Sequence, residues 1–356
     1  MEMKGLFQKT TAYVSTLVLI FIFTLTYSFA MGPKVEPKVE QKKEHIVWPP
    51  PPWEPKIEFL YSITTPDDFE IKKGFFRRLW EFIAGETREG VIKPFGVFAD
   101  DNGRVYVTDT ADQSVHVFDP KNKKYFVIEG INKNQRLTSP IDAATDKEGN
   151  IYVSDSVMRR VYVFNKEGKF LREIGTDNMM QRPTGVAIDK ASGTLYVVDT
   201  LASKILVYSM DGKYIKTIGE YGDGNVQFNR PTFIALGRDG NLYIADTMNI
   251  RVQIIDKQGK FVGKFGRHGN SAGEMANPRG IALDSEGHVY LTDTLFEAVQ
   301  VFDKSGQALM TFGRQGTRSG EFSIPAGISI SSDDKIYVAD SYNMRVQVFR
   351  YIKSSQ

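Results

Sequence analysis

The chain has 356 residues, 45 Lys and Arg against 43 Asp and Glu, a net charge of +2, and no cysteine. The lack of cysteine excludes disulfides, c-type haem attachment, thiolate metal sites and thiol nucleophiles together. The near balance of charge excludes the strongly basic field on which general nucleic-acid binding depends.

Residues 1–30 open with Lys4 and Lys9 and then carry no charge from Thr10 to Ala30, through the run Leu17-Val18-Leu19-Ile20-Phe21-Ile22-Phe23. This is the pattern of a signal peptide or an N-terminal membrane anchor. Ser28-Phe29-Ala30 places small residues where a signal peptidase reads, while the apolar run is nearly long enough to span a bilayer. With Lys4 and Lys9 held inside, the remainder is expected outside the cytoplasm in either case, periplasmic or anchored and facing outward.

Residues 31–56 are rich in Pro, Lys and Glu and too poor in apolar residues to build a core, so they read as a semi-rigid linker. The WPPPPW cluster from Trp48 to Trp53 is either a stiff lead into the fold or a ligand for a proline-recognition groove. Residues 57–65 (IEFLYSITT) read as a strand with no sheet of its own. In residues 70–85, Phe75, Phe76, Leu79, Trp80 and Ile83 share one helical face, and Arg77, Arg78 and Glu81 lie away from it. The expected amphipathic helix either packs on the fold or docks on a membrane or partner.

Residues 93–350 hold six repeats. Pro94, Pro140, Pro183, Pro231, Pro278 and Pro325 recur at spacings of 46, 43, 48, 47 and 47, a period that marks a propeller or another array. Each of the first five repeats holds four strand-length apolar runs separated by turn residues. In all six the second run contains a Tyr and ends in Asp followed by Ser or Thr: Asp109-Thr110, Asp155-Ser156, Asp199-Thr200, Asp246-Thr247, Asp293-Thr294 and Asp340-Ser341. A column of small residues in the first run (Ala99, Ala144, Ala187, Ala235, Ala282, Ser329) suits six inner strands converging on an axis. The last repeat stops after three runs, so residues 57–65 are expected to complete its sheet and remove an open edge.

Four of the aspartates have a cation five residues on: Asp155 with Arg160, Asp199 with Lys204, Asp246 with Arg251, and Asp340 with Arg345. An ion pair across the second-to-third turn is the expected loop clamp. Ser114 and Ala298 break the spacing in repeats one and five, where backbone amides or the neighbouring Thr must serve instead.

The segments NPRGIALDSEGHVYLTDTLFEAVQVFD (residues 277–303) and IPAGISISSDDKIYVADSYNMRVQVF (residues 324–349) resemble NHL repeats. The resemblance spans residues 93–350 and implies an all-β, six-bladed propeller of four-stranded antiparallel blades; with the leader, it looks like an exported bacterial member. Two residues depart from the pattern. Where Gly96, Gly185, Gly280 and Gly327 follow their prolines by two, repeats two and four carry Asp142 and Phe233, which either shape a pocket at one end of the channel or fill it.

Family resemblance of this kind implies no single activity. The lyase branch holds zinc with histidines, but His268 in a blade-connecting loop and His288 in a first-to-second turn belong to opposite ends and cannot share a metal. A carboxylate site of the lactonase type around Asp142 and Asp177 has no spacing to support it, so no metal ligand, cofactor or catalytic residue is assigned. The blade-connecting loops carry Lys133, Arg136, Arg182, Arg230, Arg267, Arg314 and Arg318 against Glu129, Asp177, Glu220, Asp223, Glu274 and Glu321, a weak net field that argues against nucleic acid. The expected function is a non-catalytic interaction or scaffold module, presenting those loops to a protein partner in an envelope complex. Phe233, Arg279, His268 and Arg314 are its expected contacts and Asp142 a residue of the channel mouth. The alternatives are a metal-dependent lyase-like or lactonase-like enzyme, and a small-ligand sensor using the channel.

Overall fold

The computed structural model describes residues 45–71, 90–132, 134–175 and 179–353. They form six antiparallel sheets, at residues 94–128, 140–174, 183–218, 234–265, 278–312 and 325–351, each with its first strand innermost and its fourth outermost. Blade one shows the plan: Pro94–Ala99, Val105–Asp109, Ser114–Asp119 and Lys124–Ile128, joined in sequence order. Burial follows position. Leu242–Asp246, a second strand, is buried throughout, whereas the outermost strand Phe261–Phe265 alternates between half-buried and exposed. Each apolar sheet face is covered by the next blade: one core cluster joins Tyr196, Val198 and Val207 of blade three to Leu242, Ile244 and Ile255 of blade four.

The ring closes through the N-terminal strand. Ile57–Ile63 runs antiparallel to Arg345–Tyr351, with Ile57 opposite Tyr351 and Ile63 opposite Val346, and Ile57 and Ile63 are fully buried. The expected linker boundary at residue 56 needs correction. Val47–Trp48 pairs with Ile57 and Glu58 as a fifth strand of blade six, and the Trp48 ring lies 5.8 Å from both Phe312 and Phe349. A tryptophan at the start of a proline run supplies apolar area that the composition of residues 31–56 conceals, and an edge strand tolerates the prolines after it. A Cβ on Gly320 would sit 2.6 Å from that indole, so glycine leaves the room for it.

After Ile63 the chain makes one 3-10 turn, Pro66–Phe69, and Glu70 follows in the left-handed region at φ 55. The expected helix over 70–85 lies, from residue 72 onward, outside the described residues, as does the leader at 1–30. Among the described residues no helix is long and apolar enough to cross a membrane.

Two consequences are measurable. Deleting residues 45–63 exposes the third strand of blade six, and the cooperative thermal transition should be lost; an unchanged melt would refute closure by this strand. Ile63→Ala, which empties a fully buried site, should cost about 2–5 kcal/mol in chemical denaturation.

Candidate functional site

The inner strands approach one another so closely near the axis that the residue two after each proline has almost no room for a side chain. A Cβ on Gly96 would lie 2.3 Å from the Ile141 carbonyl oxygen, and one on Gly280 would lie 2.4 Å from that of Ala326. The two departures from glycine resolve this crowding in different ways. Asp142 is buried, and its carboxylate accepts hydrogen bonds from the Val186 N–H of blade three (3.0 Å) and from the Ala143 N–H (2.9 Å). Phe233 reaches across the axis and stacks on Phe95 of blade one, with ring centroids 6.1 Å apart and planes inclined by 21°. The Arg279 guanidinium lies over the other partner of that stack, 5.5 Å from the Phe95 centroid.

The channel below is a well of about 470 Å³, with Val97, Val186, Ile234, Ile281 and Ile328 among its wall residues and Asp142 and Phe233 where the glycine column narrows it. It opens among the first-to-second turns, where Asp101, Lys190, Arg238 and Ser332 form the rim. Lys190 is paired with Asp101 at 2.8 Å. Burial pushes the Asp142 carboxyl up to about 7, against the lowering effect of its two N–H donors.

The opposite end carries the blade-connecting loops and the second-to-third turns, tied together by bonds such as Thr110 N–H to the Lys93 carbonyl and Thr200 N–H to the Arg182 carbonyl. The aspartate column makes this join. In blade one the Asp109 carboxylate accepts from the N–H groups of Ile92 and Lys93 in the connecting loop and of Ala111 and Asp112 in the turn. Asp155 and Asp293 accept four N–H groups in the same way. All six aspartates are fully buried.

The expected ion-pair clamp is present at Asp246–Arg251 (2.7 Å) and Asp340–Arg345 (2.8 Å). Elsewhere the expectation is corrected. Asp199 is held by the N–H groups of Gln181, Arg182 and Ala202, and Arg160 reaches Glu173 (3.8 Å) while Asp155 is saturated by backbone donors. Amides can stabilise a buried carboxylate without a cation, so the fifth residue is free to vary. In three blades the hydroxyl after the aspartate has its own role: Thr200, Thr294 and Ser341 donate to the proline carbonyls of the following blades, Pro231, Pro325 and Pro94.

Of the four expected partner contacts, Phe233 is 5% exposed and belongs to the channel interior, so it is not a surface contact. The cause is Phe95, three blades away in sequence and opposite in space. Arg279 is half-buried beside the same ring, and its Nε is buried without a hydrogen-bond partner. His268 and Arg314 lie exposed on the connecting loops of blades five and six, with Arg314 bound to Glu321 at 3.0 Å. His288, in the first-to-second turn of blade five, bonds Asp284 at 2.8 Å and shares no site with His268. Asp177 lies outside the described residues. Among the described residues no group of three His, Asp or Glu side chains converges as a metal site would require.

Two features of this end were not singled out from the sequence, although its columns contain them. Residues two beyond the aspartates are apolar and exposed in five blades: Val157, Leu201, Met248, Leu295 and Tyr342. Lys93, Arg182 and Arg230, each just before its blade's proline, are exposed, and with Arg279 they have no carboxylate within ion-pair distance among the described residues. The Lys93 ammonium lies 5.3 Å from the Tyr342 ring centroid. Burial, then the charge of Arg182, draws Arg279 below its ordinary range.

A family model described as a 6-bladed beta-propeller matches residues 131–220 and 233–299, and an NHL-repeat model matches residues 322–349. The chain is a six-bladed β-propeller of the NHL-repeat type. No curated protein matches this propeller in sequence. Solved structures similar to it include an auxiliary nutrient binding protein from Bacteroides thetaiotaomicron (14% identity, TM-score 0.59, covering 75% of this chain and 71% of that one). A gluconolactonase from Xanthomonas campestris matches at 12% identity and TM-score 0.58, over 74% and 87% of the two chains. Virginiamycin B lyase from Staphylococcus aureus matches at 15% identity and TM-score 0.54, over 73% and 95%. At these identities the likeness is one of fold.

Asp142 makes stability of the NHL propeller pH-dependent. Its folded pKa is raised to about 7, so the stabilisation it allows is complete below the ordinary carboxylate range and is lost as pH rises through about 7. Taken from near pH 4 to above pH 7, the cost is about 4 kcal/mol. Denaturant midpoints measured across that range should fall for the wild type, and Asp142→Gly should flatten the slope.

Proposed function

We propose that this propeller is a non-catalytic interaction module outside the cytoplasm, whose blade-connecting end binds an acidic segment of a protein partner bearing apolar side chains. The supporting observation is the combination on one face of four cations without carboxylate partners and a ring of exposed apolar residues. Three of the loop cations are neutralised in place. Arg136 pairs with Glu129 (3.6 Å), Arg267 with Glu274 (3.0 Å) and Arg314 with Glu321 (3.0 Å), and this pairing leaves Lys93, Arg182, Arg230 and Arg279 near the axis.

A half-buried guanidinium with an unmade hydrogen bond carries a desolvation cost that a carboxylate from a partner would relieve. Met248 and Leu295, 60% and 68% exposed, offer apolar area for the same partner to cover. Placement outside the cytoplasm rests on the uncharged run in residues 1–30. The metal-dependent lyase-like and lactonase-like readings draw no support from the described residues, because no ligand set converges on them.

Calorimetric titration with peptides that alternate Asp or Glu with Leu or Phe tests the reading. Binding should weaken as salt rises, and Arg182→Glu with Arg230→Glu should lower affinity by about tenfold or more. Peptide binding that survives the double reversal, in a protein whose melting curve is unchanged, would remove the basis of the proposal.

A further inference from the structure

The other end of the channel is chemically unlike the loop face. Its wall is the inner strand of all six blades, and the alanine column that lets these strands converge also leaves the space between them open. Phe233 lines its narrow end, where it stacks on Phe95 of the opposite blade. Volumes of this size are typical of small-molecule sites, which combine apolar walls with few polar groups. Here the group set into the narrow end is Asp142.

We propose that this well binds a small, largely apolar molecule carrying a basic amine, with its ammonium seated against the Asp142 carboxylate. Both oxygens of Asp142 are oriented as acceptors by main-chain N–H groups, and each retains lone pairs for a further donor. No cation pairs with Asp142 among the described residues, so the carboxylate, once ionised, stands without a counter-ion. An ammonium supplies both the missing charge and the missing donors, whereas an alcohol supplies only a donor.

The mouth allows a cation to pass. Lys190 is neutralised by Asp101, and Lys257 by Asp189, whose carboxylate is itself buried. Arg238 is the rim cation without a carboxylate partner among the described residues, and it is exposed to solvent and screened by it. The raised protonation range of Asp142 adds a signature: an ammonium stabilises the ionised carboxylate, so amine binding should strengthen as pH rises through about 7.

The test uses the full chain with phenethylamine, phenethyl alcohol and 3-phenylpropionic acid as probes, read by isothermal titration calorimetry. The amine should bind at least about tenfold more tightly than the alcohol or the acid above pH ~7, and lose that advantage well below it. Asp142→Asn should abolish the preference for amine over alcohol. Because the amine–alcohol comparison on the wild type needs no variant, the result stands even if Asp142→Asn fails to fold. Ala187→Leu, which narrows the well from its wall, should weaken the amine and the alcohol alike. Equal affinity for amine and alcohol, no amine binding at all, or an amine preference that persists in Asp142→Asn would overturn the proposal. None of these outcomes bears on peptide binding at the opposite face.

Discussion

A four-stranded sheet with two apolar faces survives in water only when both faces are covered, and every other feature of this molecule follows from meeting that condition six times in a circle. Each blade covers its neighbour, so none can be first or last. Closure by Ile57–Ile63, pairing with Arg345–Tyr351, removes the two open faces that a linear stack would leave. The same condition brings the inner strands so near the axis that Gly96, Gly185, Gly280 and Gly327 cannot carry a Cβ without meeting backbone of the next blade.

Polar groups are arranged to suit this packing. Six buried carboxylates would be costly if they faced hydrocarbon, yet each has several donors: main-chain N–H groups hold Asp109, Asp155, Asp199 and Asp293, while Arg, Asn and Gln side chains join one N–H at Asp246 and at Asp340. The aspartate closes its own blade and, where the structure shows the bond, the following Ser or Thr grips the next one. That division gives both residues of the dipeptide a bond to make, whereas the cation five residues on is replaceable by amide donors. The departures Asp142 and Phe233 take the opposite course: they fill the channel instead of reinforcing the join, and so they give the two ends of a repetitive ring different chemistry.

Periodicity made the fold legible. A proline every 43 to 48 residues, an Asp-Ser/Thr dipeptide and a column of small residues together specify a propeller, and the short sixth repeat points to Ile57–Ile63. What escaped the sequence was non-local or carried by the backbone. Val47–Trp48 was hidden by the prolines around it. Phe233 was expected at the surface because its partner, Phe95, sits three blades away. The clamps at Asp155 and Asp199 point to cations in the sequence, because an amide donor leaves no trace there. The exposed ring from Val157 to Tyr342 was legible in principle, as a column two residues beyond each aspartate, but an apolar side chain at a turn tip declares itself only when its exposure is known.

Closure by Ile57–Ile63 also sets an order of events during synthesis. Ile57–Ile63 leaves the ribosome before any blade exists, and its partner, Arg345–Tyr351, emerges only after five blades have been made. Bringing together segments separated by most of the chain costs about 5 kcal/mol in loop-closure entropy, a modest penalty because it grows only with the logarithm of length. Time is the harder constraint. Until blade six is made, a strand whose two end isoleucines become fully buried waits without a sheet, and five stacked blades present an uncovered face at each end. The propeller is therefore most open to misassembly while blade six is being made, when five blades already stand.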